Sequence, residues 1–468
     1  RGLGDVYKRQ DKNYELTTEI TLGKGNTGGL LLFYDEKAYA GVASDGKTFT
    51  IYRNGEKTET MPSDYHKHFH LRLLNRANRV TLSASKDGKS WDELATDIDV
   101  SGLHHNNYGG FYALRPALLS AGKGRTTFRN FTYRNATPQE KDMAAYLMVF
   151  HQDEDHCLHA AISRDGYTFT ALNDGKPIIA GDTIADQKGI RDPHIYRGPD
   201  GGFYLAMTDL HIYAQRDGYR DTEWERDGKT YGWGNNRGLV LMKSFDLIHW
   251  TRTNIRFDQM SKEFAQIGCA WAPETVYDPV TGRMMIYFTM RFGTEQNRLY
   301  YVYVNQDFNR IESIPQILFE YPSGASAIDG DITPIWNEER QKMEYHLFYV
   351  AHESGSGIKQ AVSDRIDGGY RFDPRWIDFE PVACEAPNVW KRIGEDKWVL
   401  MYDIFGINPH NFGFVETSDF VHFKNLGRFN EGVMKTTNFR SPKHGAVIHL
   451  TQEEADRLEN YWNGKKQK

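Results

Sequence analysis

The chain has 468 residues, and its 57 basic and 63 acidic side chains leave a formal charge of −6, dispersed without blocks of one sign. That balance excludes nucleic acid or an anionic membrane as the main partner, and no apolar run approaches the roughly 18 to 20 residues that span a bilayer. At about 100 to 200 residues per domain the length calls for more than one domain, while Cys157, Cys269 and Cys384, odd in number and widely spaced, exclude a disulfide scaffold and a zinc-ligand pattern.

Residues 1–10, RGLGDVYKRQ, lack the apolar centre and small-residue cleavage site of a signal peptide. They resemble translated adaptor sequence and are set aside as non-native, so the native start and any signal lie outside what is read. From 11 to 135, short alternating or apolar runs such as YELTTEITL, GGLLLFYD and FHLRLLN are separated by Gly, Asp and Asn turns at the spacing of an all-β sandwich. The stretches TGGLLLFYDE, SASKDGKSWDEL and SAGKGRTTFRNFTY resemble the laminin-G-like, concanavalin-type sandwich. That resemblance implies that the first strand or two are missing. Residues 136–143 read as a polar linker.

From 144 to 460 two signals repeat. One is a strand closing on a Ser/Thr/Asn turn that contains Asp, at Ser163, Ser244, Asn305, Ser363 and Thr417. The other is a short strand starting beside Pro or Gly, at Asp192, Glu274, Asp329, Glu385 and His444. The second series is spaced 82, 55, 56 and 59 residues. Five near-equal units of strand-rich sequence predict a five-bladed β-propeller. The long first interval is accounted for by a polar, Gly-rich insertion, AQRDGYRDTEWERDGKTYGWGNN, placed on a loop. YLMVFHQ and LHAAISR, which precede the first unit, are expected to complete the last blade. Two tandem sandwiches would also supply strands but not equal spacing.

If each unit begins an innermost strand, Asp192, Glu274, Asp329, Glu385 and His444 converge at one end of the axis. Crowded carboxylates push one another's pKa values apart, so one can hold a proton near neutral pH while another stays ionised. Glycosidic bond cleavage requires that division of labour.

The ordered set R-D192-P, W271-A-P-E274, A-I-D329-G and C-E385-A-P resembles glycoside hydrolase family 43 over about residues 144 to 460. The resemblance implies that Asp192 is the general base, Glu385 the general acid and Asp329 the carboxylate that tunes the acid. Asp329 is followed by Gly where the family often has Pro, and Asp331, two residues on, is the second choice for that role. Trp271, Glu274 and Arg291 are read as substrate-binding residues; the competing readings are core packing for Trp271, a structural ligand for Glu274 and a surface ion pair for Arg291. His444 is read as a metal ligand or a structural histidine. No cofactor is required, and a structural calcium at the axis is the metal the resemblance admits.

The expected activity is that of an inverting exo-glycosidase releasing terminal α-L-arabinofuranosyl residues from plant-type polysaccharides or glycans. β-D-Xylosidase, a family 32-like fructan hydrolase and a non-catalytic glycan-binding protein are the alternatives. The expected partner is an oligo- or polysaccharide, and the expected location is secreted or periplasmic in a bacterium.

Overall fold

The computed structural model describes residues 13–464 except 77, 111 and 354; the adaptor-like segment lies outside the described residues. Two compact units result, one running to Pro138 and including Pro199–Gly201, the other comprising Gln139–Gly198 and the chain from Gly202 onward.

In the first unit two five-stranded antiparallel sheets enclose one core. Along Asn13–Leu22 the inward Tyr14, Leu16, Ile20 and Leu22 are at most 4% exposed, and Glu15, Thr17, Glu19 and Thr21 point outward. The two-residue period of a strand dictates that split. Leu30, Leu32, Val42, Phe49 and Ile51 of the second sheet complete the core.

The second unit is a five-bladed β-propeller, with five sheets of four or five strands. The innermost strands are Ile190–Arg197, Ile267–Asp278, Ala327–Asn337, Glu385–Lys391 and Lys443–Thr451, in blades one to five. Blade five joins the two ends of the unit: Lys443–Thr451 pairs with Met143–His151, which pairs with Leu158–Ser163. Successive blades bury their facing residues in shared cores. Val149 of blade five packs with Ile195 and Leu205 of blade one, Ile286 of blade two with Leu241 of blade one, and Phe348 of blade three with Leu400 of blade four. Two further cores join blades two to three and four to five, closing the ring.

The predicted Ser/Asn turns all link third to fourth strands. In three of them an Asp side chain accepts two backbone N–H groups: Asp165 from Tyr167 and Thr168, Asp246 from Ile248 and His249, Asp419 from Val421 and His422. An Asp that satisfies the turn's own donors fixes the corner locally, which is why the motif repeats.

The second predicted series needs a correction of register. Each inner strand carries one residue with a left-handed backbone at a bulge, and those residues are Asp192, Ala272, Asp329, Ala386 and His444. Their spacings are 80 (192 to 272), 57 (272 to 329), 57 (329 to 386) and 58 (386 to 444). Asp192, Asp329 and His444 are equivalent as expected. Glu274 lies two residues past its blade's bulge and Glu385 one residue before, so neither shares their position.

Candidate active site

A non-glycine residue rarely adopts positive φ unless its surroundings impose it. Here the second strand of one blade supplies an acceptor for the bulged N–H of the next. Thr208 accepts from Ala272, Thr289 from Asp329, Asp403 from His444 and His151 from Asp192, at 2.8 to 3.2 Å. Blade three has Val350 at this place, paired with Ile328, and Asp329 itself accepts from the Ala386 N–H at 3.2 Å. This ring fixes the bulges that carry Asp192 and Asp329, and Glu385 stands one residue before the bulge of blade four.

Asp192 is gripped on both oxygens. The Thr208 hydroxyl donates to Oδ2 at 2.7 Å, and His444 Nδ1 lies 3.3 Å from Oδ1. Burial works against its charge, but His444 and Arg191 outweigh it and hold the carboxyl far below the usual range. Arg191 is fixed in turn by Asp153 at 2.5 Å. Burial likewise opposes charge on His444, and Asp192, Asp329 and Glu385 overcome it and raise its pKa.

Glu385 lies on Lys443, whose Nζ is 3.0 Å from Oε1 and 3.3 Å from Asp403 Oδ2. Burial raises Glu385, but Lys443, His444 and Arg191 win and leave it below the ordinary carboxylate value. Asp329 goes the other way: burial, augmented by Glu385 and Asp192 and partly opposed by His444, pushes it up to about 7. Near neutral pH Asp329 is therefore the one of the three carboxyls most ready to carry a proton, while the surroundings of Asp192 and Glu385 favour their ionised forms.

Glu274 and Asp331 form a second layer, two residues beyond the bulges. Asp331 Oδ2 accepts from Asn388 Nδ2 at 2.8 Å and Val389 N–H at 2.9 Å. Tyr287 donates to Glu274 Oε2 at 2.8 Å while accepting the Ile332 N–H at 2.8 Å. Glu274 is 3% exposed, and burial together with Asp331 raises its carboxyl pKa well above the usual range. This geometry ties blade two to blade three and corrects the reading of Glu274 as a substrate ligand: its carboxyl oxygen is taken and its surface is closed.

Trp271, one residue before the blade-two bulge, is partly exposed, and its Nε1 donates to Gly234 O at 2.9 Å. Arg291 does not reach toward substrate as expected. Its guanidinium lies 4.6 Å over the Trp271 ring and donates to the carbonyls of Tyr231, Trp233 and Gly293 at 2.9 to 3.2 Å. It is buried, so the surface ion pair is also not its fate. Among the described residues no group of three or more His, Cys, Asp or Glu is arranged to hold an ion, and His444 Nδ1 faces Asp192 Oδ1. The three cysteines are buried and unbridged.

Lys443, Arg191, Asp403 and Thr208 are the site residues that motif reading passed over. Lys443 and Arg191 stood in plain view, each beside a bulged residue; Asp403, a carboxylate inside the apolar run WVLMYDI, was the available signal for a buried charge.

A model of the group related to glycoside hydrolase family 43, described as a probable glycosyl hydrolase domain, matches residues 141–456. Over 193 residues, 39% of this chain and 16% of the relative's length, the chain is 28% identical to an alpha-L-arabinofuranosidase of Bifidobacterium longum subsp. longum. Similar solved structures include a thermostable family-43 glycoside hydrolase, at 16% identity, TM-score 0.39, 55% of this chain and 78% of that one. Another is the endo-arabinase of Bacteroides thetaiotaomicron, at 14% identity, TM-score 0.42, 58% of this chain and 88% of that one. Among the described residues no helix is long and apolar enough to cross a membrane. With three carboxylates from three propeller blades at one end of the axis and a family match over two thirds of its length, the chain belongs to the family 43-related glycoside hydrolases.

Proposed function

We propose that the protein is an inverting exo-glycosidase that releases terminal α-L-arabinofuranosyl residues, acting outside the cytoplasm on plant-type polysaccharides or glycans. The observation that carries the chemistry is the opposite surroundings of Asp192, on blade one between the Thr208 hydroxyl and His444, and of Asp329, on blade three, where burial and the neighbouring carboxylates push the carboxyl up to about 7. Asp192, ionised and aimed by Thr208, takes a proton from water as the water attacks the anomeric carbon. Glu385 gives a proton to the departing oxygen. Its proton is the one shared with Asp329: a sugar whose glycosidic oxygen lies on Glu385 strips water from that carboxylate, disfavours its charge and draws the proton onto it, leaving Asp329 ionised in its place. The sugar is suggested by the name of the Bifidobacterium longum relative.

Nitrophenyl glycosides test this reading. Hydrolysis of the α-L-arabinofuranoside should exceed that of the β-D-xyloside, and Asp192→Asn should cut kcat by about 10²- to 10⁴-fold, the range of a positioned general base. Preference for the xyloside would replace the sugar but keep the mechanism. Full activity of Asp192→Asn would remove the mechanism.

A further inference from the structure

The blade-one insertion lies against the wall of the site. Its segment Gly232–Asn235 runs beside Trp271, and Trp271 is one residue from Ala272, whose N–H donates to the same Thr208 hydroxyl that holds Asp192. From this segment Trp233 projects, 61% exposed, with its ring centroid 6.1 Å from that of Trp271 at an interplanar angle of 72°. Trp224 stands behind it at 5.5 Å and 69°.

The open face of the indole is apolar area available for contact, and the backbone beneath it is pinned. Arg291 donates to the Tyr231 and Trp233 carbonyls, Asn235 Nδ2 to the Arg226 and Gly232 carbonyls, and Asn236 exchanges two hydrogen bonds with Ala270. Gly232 and Gly234 have φ of 83° and 62°, and a Cβ on Gly232 would meet the Arg291 guanidinium at 2.7 Å. The loop is closely fitted to the blade and presents one large apolar face beside Trp271.

We infer that Trp233 and Trp271 form a corner-shaped platform for a sugar ring on the leaving-group side of the scissile bond, which makes an oligo- or polysaccharide chain the substrate rather than a small glycoside. An aromatic face covers the C–H face of a sugar ring with large area and fixed geometry. The assignment to the leaving-group side rests on the exo-acting reading above, because an enzyme that removes one terminal residue has the rest of the chain only on that side.

The test compares kcat/KM on a methyl glycoside and on an oligosaccharide of the same sugar, chosen as a sugar the wild-type enzyme hydrolyses. Trp233→Ala should lose about tenfold on the oligosaccharide, the size of one good aromatic contact, and little on the methyl glycoside. Trp233→Phe should recover most of that loss. Equal losses on both substrates, or none on either, would overturn the platform. Wild-type inactivity on arabinosides would instead overturn the proposed sugar and leave the Trp233 comparison to be decided on the sugar that is cleaved.

Discussion

Lys443 Nζ lies 3.0 Å from Glu385 Oε1, placing a buried cation directly on the residue assigned as general acid. The same ammonium is 3.3 Å from Asp403, which burial pushes up to about 6 even with Lys443 beside it. A cation there stabilises the ionised carboxylate and opposes the protonated form that the reaction consumes. The enzyme therefore holds one proton in the Asp329 and Glu385 pair, and kcat/KM should fall as pH rises through about 7, where Asp329 releases it. In Lys443→Met the pair should keep its proton longer, moving that alkaline limb upward by roughly one unit or more. Because Asp403 would be left buried beside the gap, the double variant Lys443→Met with Asp403→Asn guards against a simple folding defect. An unmoved limb in both variants would separate Lys443 from the proton of the reaction.

Replacing Glu385 by Gln removes the donor but preserves shape. Activity should drop by about 10²- to 10⁴-fold on glycosides with poor leaving groups and much less on dinitrophenyl glycosides, whose leaving oxygen scarcely needs a proton. Asp329→Asn should show the same selectivity, since it removes the proton reservoir and leaves Glu385 with only the cations beside it. Steady-state rates on the two substrate types check the assignment; a selective loss in Asp329→Asn with leaving-group-independent loss in Glu385→Gln would exchange the two roles.

Glu274 illustrates what can be read from sequence and what cannot. The turns built on Asp165, Asp246 and Asp419 were legible because side chain and satisfied N–H groups lie within three residues of each other. The apolar second strands, such as Phe203–Asp209 and Trp398–Ile404, were legible because each faces a neighbouring blade on both sides and must be apolar throughout. The register of the inner strands was not. The bulged residues of blades two and four are Ala272 and Ala386, a residue type with no preference for left-handed backbone, so the eye settles on the nearest carboxylate instead. What imposes the bulge is a long-range acceptor, Thr208 for Ala272 and Asp329 for Ala386, and such pairs are 64 and 57 residues apart in the chain. Lys443 escaped for the same reason: its partner Glu385 is 58 residues away.

The corrected place of Glu274 has its own consequence. Its carboxyl, raised well above the usual range by burial, accepts from Tyr287, whose hydroxyl joins blades two and three by accepting the Ile332 N–H. Glu274→Gln keeps an acceptor of the same shape and should leave both thermal stability and kcat near wild type. Glu274→Ala orphans the buried Tyr287 hydroxyl and should destabilise by about 1 to 3 kcal/mol, with kcat per folded molecule unchanged. Urea unfolding paired with active-site-normalised rates measures both; a large loss of kcat in the Gln variant would return Glu274 to the substrate.

Stereochemistry separates Asp192 as a base from Asp192 as a nucleophile. As a base it must stand back far enough for a water, with carboxyl groups roughly 6.5 to 9.5 Å apart in inverting enzymes against about 5 to 5.5 Å in retaining ones. Its surroundings keep it ionised, which either role requires. Thr208 occupies one oxygen and His444 approaches the other, and together with Arg191 they hold the carboxyl far below the usual range. So stabilised an anion is a weak base as well as a weak nucleophile, and the expectation of inversion follows from the proposed general-base role and not from the pKa. Proton NMR of the first sugar released, recorded before mutarotation, should therefore show the anomeric configuration opposite to that of the substrate. Retention of configuration, or a glycosyl adduct trapped on Asp192, would convert the mechanism to double displacement. The family 32-like alternative would then account for the chemistry better, even with Asp192, Asp329 and Glu385 all essential.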